Sequence, residues 1–150
     1  MKKILCIIQE HMFSKTEILD MEAGFREIYQ DNYSQEKVNV LWMIMPKGYA
    51  YSERQESNAA VIMIEVDEDI SKENREQLMA LTSSFLLENF KISPLDSVIT
   101  VANSSFVNSF LEAQKKRVST IWRPWINMKQ LFSALYSKFK NGYLRLRVRY

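Results

Sequence analysis

The chain has very few of the residues that build the commonest metal, disulfide and phosphate sites. It carries one cysteine, Cys6, one histidine, His11, and three glycines. One cysteine and one histidine are too few for a His/Cys metal site, and a lone cysteine excludes an intrachain disulfide. Three scattered glycines exclude a glycine-rich phosphate loop. We therefore expect neither a metal ion nor an organic cofactor.

Long apolar runs are missing as well. The first apolar run, Ile4 to Ile8, has five residues and is followed by Gln9 and Glu10, so it is shorter than the apolar region of a signal peptide. No run reaches the about 18 apolar residues that suggest a transmembrane helix. Since a single cysteine also fits a reducing compartment, we expect a cytoplasmic protein.

Acidic residues are absent from the last part of the chain. Residues 1–112 contain all 18 acidic residues and ten basic ones, a net charge of −8, whereas residues 113–150 contain ten basic residues, a net charge of +10. We call residues 113–150 the basic segment. It is expected to dock on the acidic body of its own or a neighbouring subunit, and an acidic partner, a nucleic acid or a membrane surface stays open as an alternative.

The first half of the chain has the pattern of strand, helix and strand. Residues 3–9 are an isoleucine-rich apolar run typical of a buried strand. Ser14 and Glu17 have the spacing of a capping box, so a helix is predicted over 15–30. Residues 38–45 are apolar nearly throughout, and this strand is expected to be buried on both faces.

The second half repeats this order. A strand is predicted over 59–66, a helix capped by Ser71 over 72–90, and a strand over 97–102. The acidic run at 65–69 is interpreted as charge that suits the start of that helix. A short helix follows, capped by Asn103 or Ser104. Within the basic segment, the patterns predict a helix over 127–140 and a final strand over 144–150.

The two halves align with each other at an offset of 57 residues, which places Ser71 on Ser14. A helix that connects two strands usually makes them parallel neighbours. We therefore predict an α+β domain over residues 1–112, with two β–α–β repeats that form one four-stranded mixed sheet and two helices on one face. A ferredoxin-like fold with an antiparallel sheet has the same element order and is the alternative.

Several stretches of the chain resemble the tautomerase superfamily. They are the strand from Val40 to Pro46, the loop 47–58, the strand from Ala59 to Ile64, and the segment from Leu86 to Pro94 with Asp96, Val98 and Ile99. The most specific part is Lys91-Ile92-Ser93-Pro94, which follows an amphipathic helix. The resemblance covers about residues 1–112 and is greatest to the macrophage migration inhibitory factor and cis-3-chloroacrylic acid dehalogenase branches. It implies the mixed-sheet alternative, a homotrimer and pockets between subunits.

The resemblance also implies where a site would lie. In this family the acid or base is an N-terminal proline, and this chain begins Met1-Lys2 instead. Met1 and Lys2 are therefore the candidate catalytic amines. Lys37 corresponds to a cation near the start of the family's second strand, and together with His11 it is a candidate for ligand binding. A tyrosine and an asparagine of the related pocket correspond to Ile99 and Val101, which cannot do polar work.

Two functions remain after these comparisons of residues. The first is a tautomerase-like protein without proline-based catalysis, an isomerase if it is an enzyme, that binds a small carboxylate or keto–enol compound between subunits. The second is a binding module whose basic segment engages an acidic protein, a nucleic acid or a membrane. The segment from Trp122 to Trp125 is interpreted as an anchor to the core, with an aromatic and basic binding platform as the alternative.

Overall fold

A computed structural model of the protein describes residues 1–48, 51–52, 55–56, 59–116, 135–136 and 139–140. The strands and helices follow one another in the predicted order. They are β1 (Lys2–Gln9), α1 (Lys15–Asn32), β2 (Val38–Met45), a short hairpin of β3 (Tyr51–Ser52) and β4 (Gln55–Glu56), β5 (Ala60–Val66), α2 (Lys72–Phe90), a 3-10 turn (Pro94–Asp96), β6 (Ser97–Asn103) and α3 (Ser104–Lys116).

The main sheet has the strand order β2-β1-β5-β6. β1 is parallel to β2 and β5 is parallel to β6, while β1 and β5 are antiparallel to each other. This arrangement confirms the predicted mixed sheet of two β–α–β repeats. The ferredoxin-like alternative is wrong, because its sheet would have only antiparallel neighbours.

Each repeat has the predicted cap at the start of its helix. Glu17 N donates to Ser14 Oγ at 3.3 Å and Ser14 N donates to Glu17 Oε2 at 2.7 Å, which completes the capping box. In the second repeat, Asn74 N donates to Ser71 Oγ at 3.2 Å. The repeat found in the sequence is thus also present in the local structure.

The core lies between the sheet and the two long helices. Alternate strand residues point towards α1 and α2 and are buried, as Ile4, Cys6, Ile62 and Ile64 illustrate. The helices approach each other at Gly24, where the ring of Phe85 fills the space that a Cβ would take. This close approach requires glycine on α1.

The opposite side of the sheet, which we call the outer face, is only partly covered in the protomer. Leu41 and Met43 of β2 are half-buried there, whereas Val40 and Trp42 on the other face are buried. The expectation that β2 is buried on both faces is therefore wrong for the protomer, since α1 and α2 cover one face alone. On the β5 and β6 side, α3 packs against the sheet through the buried Val107.

The structure describes only parts of the basic segment. Helix α3 runs past residue 112, so the division into residues 1–112 and 113–150 stays a prediction. Residues 135–136 and 139–140 are helical, which agrees with that part of the helix predicted over 127–140. The rest of that helix, the segment from Trp122 to Trp125 and the strand predicted over 144–150 lie outside the described residues. Within the described part of the chain, no helix combines the length and the apolar character needed to cross a membrane.

Candidate functional site at the amino end of the first strand

Four elements meet at the amino end of β1. Lys2 is paired with Val38 at the start of the parallel β2, and the antiparallel register that pairs Ile4 with Ile64 brings Lys2 next to the end of β5. Helix α3 begins there with Ser104, directly after β6. The parallel and antiparallel pairings of the sheet therefore bring residues distant in sequence to one edge.

Lys2 is the centre of this edge. Its side chain is buried, and its Nζ donates to the Asp67 carboxylate and, at 3.0 Å, to Ser104 Oγ. Burial acts to lower the pKa of the Lys2 ammonium, but the hydrogen bond and the charge of Asp67 outweigh it, so this pKa lies above its ordinary value. In this structure the Lys2 ammonium is therefore held by its ion pair with Asp67 and its hydrogen bond to Ser104.

Asp67 is held on two sides. Tyr33 OH donates to Asp67 Oδ2 at 2.7 Å, and Asp67 N donates to Tyr33 OH at 2.9 Å. The hydrogen bond from Lys2, followed by the one from Tyr33, holds the pKa of Asp67 below its ordinary value. Burial raises the pKa of Tyr33, so its hydroxyl stays protonated at neutral pH. We call Lys2, Tyr33, Asp67 and Ser104 the amino-end cluster.

A second ion pair lies beside this cluster. Lys3 Nζ is 3.2 Å from Glu65 Oε2 and 3.2 Å from Asn108 Oδ1 of α3. Glu65 is buried, and the Lys3 ammonium therefore compensates a carboxylate that is removed from water. Both lysines of β1 thus connect the sheet to the first turns of α3.

The structure brings Met1 and Lys37 to the same edge. The amide of Lys2 donates to the carbonyl oxygen of Lys37 at 3.1 Å, and the α-amino nitrogen of Met1 is 3.6 Å from Glu36 Oε2. Met1 and the Lys37 side chain are both exposed. Three of the four candidate residues from the sequence therefore lie together, and two of them are open to solvent.

His11, the fourth candidate, lies elsewhere. It follows the opposite end of β1, in the left-handed backbone region with φ of 65°, and an eight-residue strand spans roughly 25 Å. Its side chain is 81% exposed, with Nε2 3.8 Å from Glu10 Oε1. Within one protomer, His11 and Lys37 cannot contact the same small ligand.

Residues 99 and 101 do not contribute polar groups to this edge. Ile99 and Val101 are partly buried against the core, on the helix side of β6. Thr100 alternates with them, and among the described residues its buried hydroxyl oxygen has no hydrogen-bond partner. The pocket polarity that the family resemblance implies for these two positions is absent.

Sequence reasoning missed the roles of Tyr33, Asp67 and Ser104. The acidic run at 65–69 was expected to serve the start of the following helix, but Glu65 and Asp67 pair with lysines of β1. Glu68 accepts from Ser105 N at 2.9 Å at the start of α3, and this hydrogen bond holds its pKa below the ordinary value. The available signal was the antiparallel register, which when continued places Lys3 opposite Glu65.

Comparison with known proteins gives a result for the fold alone. No protein-family model and no curated protein sequence matches this chain. Solved structures do match, and one is Pt0534 inactivated by 2-oxo-3-pentynoate, with 15% identity, a TM-score of 0.60, and coverage of 67% of this chain and 84% of that chain.

Two further matches belong to named groups. The F6 fused 4-OT asymmetric trimer has 12% identity and a TM-score of 0.58, with coverage of 67% of this chain and 85% of that chain. N1, a member of the cis-3-chloroacrylic acid dehalogenase family, has 9% identity and a TM-score of 0.61, with coverage of 67% and 73%. These neighbours are tautomerase-superfamily structures, so the fold that the sequence resemblance implied is confirmed.

Proposed function

We propose that this tautomerase-fold chain binds a small carboxylate or keto–enol compound at the Met1 and Lys37 edge, as a homotrimer with its pockets between subunits and without proline-based catalysis. The observation that carries the proposal is how both nitrogens of Lys2 are engaged. Its backbone nitrogen is an amide that donates to Lys37, and its side chain is a cation fixed by Asp67.

An amine acts as a base only through a free lone pair on its nitrogen. The Lys2 amide has none, and the Lys2 ammonium keeps its proton because its pKa is raised. Chemistry through an amine at this position is therefore disfavoured, and the tautomerase fold can serve as a binding scaffold instead. If the protein is an enzyme, its activity is that of an isomerase that uses another base.

The exposed Lys37 ammonium favours an anionic ligand. Lys2 and Lys3 are already compensated by Asp67 and Glu65, whereas the Lys37 ammonium is exposed. Among the structural neighbours, Pt0534 is inactivated by 2-oxo-3-pentynoate, a small carboxylate with a keto group. A ligand of this kind would place its carboxylate near Lys37.

The trimer is supported by the fold and by the outer face. One neighbour is a trimer, and the half-buried Leu41 and Met43 leave apolar surface on the sheet of the protomer. Pairing of subunits through this face would remove that surface from water.

The proposal is tested by titrating the protein with a small 2-oxo carboxylate and following amide and side-chain NMR shifts. We expect shifts at Met1, Lys37 and their neighbours, and about three- to tenfold weaker binding for Lys37→Gln, because one charge-assisted hydrogen bond is lost. Lys47→Gln is the matched control, since Lys47 is an exposed lysine beyond the opposite end of the strand. Equal binding by both variants would contradict this site.

Catalysis is tested separately with an enol-to-keto assay. We expect no rate above buffer for the wild-type protein, and a rate that disappears in Lys2→Met would contradict our reading of Lys2. The variant Lys2→Pro tests whether the rest of the pocket supports enol–keto conversion once a proline base is supplied. Enol–keto activity in this variant, with removal of Met1 verified by intact mass, would show that only the base is missing.

A further inference from the structure

We infer that the helical turn carrying Leu135, Tyr136 and Phe139 is a docking surface for an anionic lipid membrane. We call these three residues the apolar turn. The inference concerns the basic segment and is independent of the ligand site proposed at Met1 and Lys37. It would give the domain a peripheral attachment to a bilayer surface.

The side chains of the apolar turn are exposed in the protomer. Leu135 is 50% exposed, Tyr136 is 70% exposed and Phe139 is 84% exposed. At about 100° per helical residue, the three side chains fall within roughly 100° of the helix circumference. On a regular helix these three side chains therefore lie on one face.

Positive charge lies beside this face. Lys140 is helical and exposed and follows Phe139 directly. The whole basic segment contains ten basic residues and no acidic one. A helix with aromatic and aliphatic side chains on one face and lysines beside it lies in the interface of anionic bilayers, where the long lysine side chains reach the headgroups.

The turn lies close to both a lysine and carboxylates of the domain. Lys15 Nζ donates to the carbonyl oxygen of Phe139 at 3.0 Å, which places the turn at the start of α1. The exposed Glu17 and Asp20 lie in the first turns of this 18-residue helix, and the exposed Asp31 lies at its opposite end, about 27 Å away. At physiological salt this distance exceeds the screening length, so repulsion of an anionic surface comes from Glu17 and Asp20 and is opposed by the ten basic residues of the basic segment.

The same residues favour lipid over nucleic acid. Binding of single-stranded nucleic acid relies on aromatic rings that stack with bases and on a groove for the backbone. Leu135 cannot stack on a base. Insertion into the boundary between headgroups and acyl chains uses leucine, tyrosine and phenylalanine together.

The test is sedimentation of the full chain with vesicles of phosphatidylcholine alone and of phosphatidylcholine with phosphatidylserine, at low and high salt. We expect binding to the anionic vesicles, weaker binding at high salt and little binding to the neutral ones. The double variant Leu135→Ser with Phe139→Ser should bind the anionic vesicles about tenfold more weakly, because two apolar side chains no longer leave water. Lys140→Gln should bind about fivefold more weakly.

The matched control removes the same two residue types from the body of the protein. Leu95 and Phe106 are 87% and 57% exposed, and Leu95→Ser with Phe106→Ser should keep wild-type binding. Circular dichroism verifies that all variants are folded. Absence of binding to the anionic vesicles, or equal loss in both double variants, would overturn the inference. If the protein binds no vesicles but binds duplex DNA, and the variant Leu135→Ser with Phe139→Ser binds the DNA equally well, the partner would be a nucleic acid and not a membrane.

Discussion

Two opposing influences act on the ammonium group of Lys2, and their balance decides what the residue does. Removal from water favours the neutral amine, which would be a base, while the carboxylate of Asp67 favours the charged form. Asp67 is itself held by Tyr33, so the carboxylate stays ionised beside the lysine. The pair is therefore a structural contact at the amino end of β1.

This pair predicts a pH dependence of stability with losses on both sides of neutrality. The pKa of Asp67 is lowered on folding, so its contribution is present above its unfolded pKa of about 4 and is lost as the pH falls through the folded value. The pKa of Lys2 is raised, so its contribution is present below about pH 10 and is lost as the pH rises through the folded value.

Urea unfolding of the wild type and Lys2→Met at pH 2.5 to 11 measures both losses. We expect the free energy of unfolding of the variant to fall less steeply towards acid pH than that of the wild type. The variant should still lose some stability at alkaline pH, because burial also raises the pKa of Tyr29. The Tyr29 hydroxyl donates to the carbonyl oxygen of Glu65 at 3.1 Å. If the free energy of unfolding falls equally steeply towards acid pH in both proteins, the assigned role of Lys2 would be contradicted.

A double-mutant cycle separates the pair from its surroundings. Lys2→Met and Asp67→Asn should each lower the melting temperature, and the double variant should lose less than the sum of the two, because each single change leaves one partner uncompensated. Thermal melts at pH 7 measure the four proteins. Strict additivity would mean that the two charges do not stabilise each other.

At the scale of elements, the contact between α1 and α2 depends on Gly24. In an exposed helical position, alanine would be favoured over glycine by about 1 kcal/mol. Here a Cβ would meet the ring of Phe85, which is held by edge contacts with Phe25 and Phe90 at centroid distances of 5.7 and 5.4 Å. We expect Gly24→Ala to lower the free energy of unfolding by about 1–2 kcal/mol, since overpacking outweighs the gain in helix propensity.

Chemical denaturation of two variants checks this balance. Ala23→Gly, at the exposed neighbouring position, measures the propensity cost in the same helix and should be about 1 kcal/mol destabilising. Adding Phe85→Leu to Gly24→Ala should recover part of the loss, because the ring no longer meets the new methyl group. A stabilised Gly24→Ala protein would show that α2 moves away at little cost.

The elements were predictable because their signals are local. Apolar runs, the caps at Ser14 and Ser71 and the offset of 57 residues are properties of neighbouring residues, and the structure contains each of them. The direction of the strands followed from the helical connections, together with the family resemblance. The amino-end cluster was not predictable in this way, because the partners Lys2 and Asp67 are 65 residues apart and meet only through the register of β1 and β5.

At the scale of the whole molecule, charge and apolar surface are distributed unevenly. The acidic body and the basic segment carry opposite net charges. The outer face of the sheet leaves Leu41 and Met43 half-buried, and the apolar turn is exposed near the start of α1. We propose different partners for these two apolar surfaces, another subunit for the first and a bilayer for the second, and the salt dependence of the two associations should differ accordingly.

Light scattering at low and high salt tests the first of these surfaces. A homotrimer has three times the mass of the 17.7 kDa chain, and we expect this mass to persist at high salt, because burial of apolar surface is not screened by ions.

Leu41→Asp should shift the protein to the monomer at low micromolar concentration, since each subunit would bury a carboxylate. Leu19→Asp is the control, because Leu19 is 48% exposed on α1, on the helix side of the sheet, and this variant should remain a trimer. A wild-type monomer would contradict both the trimer and pockets between subunits, while a trimer that dissociates only at high salt would assign the association to the basic segment.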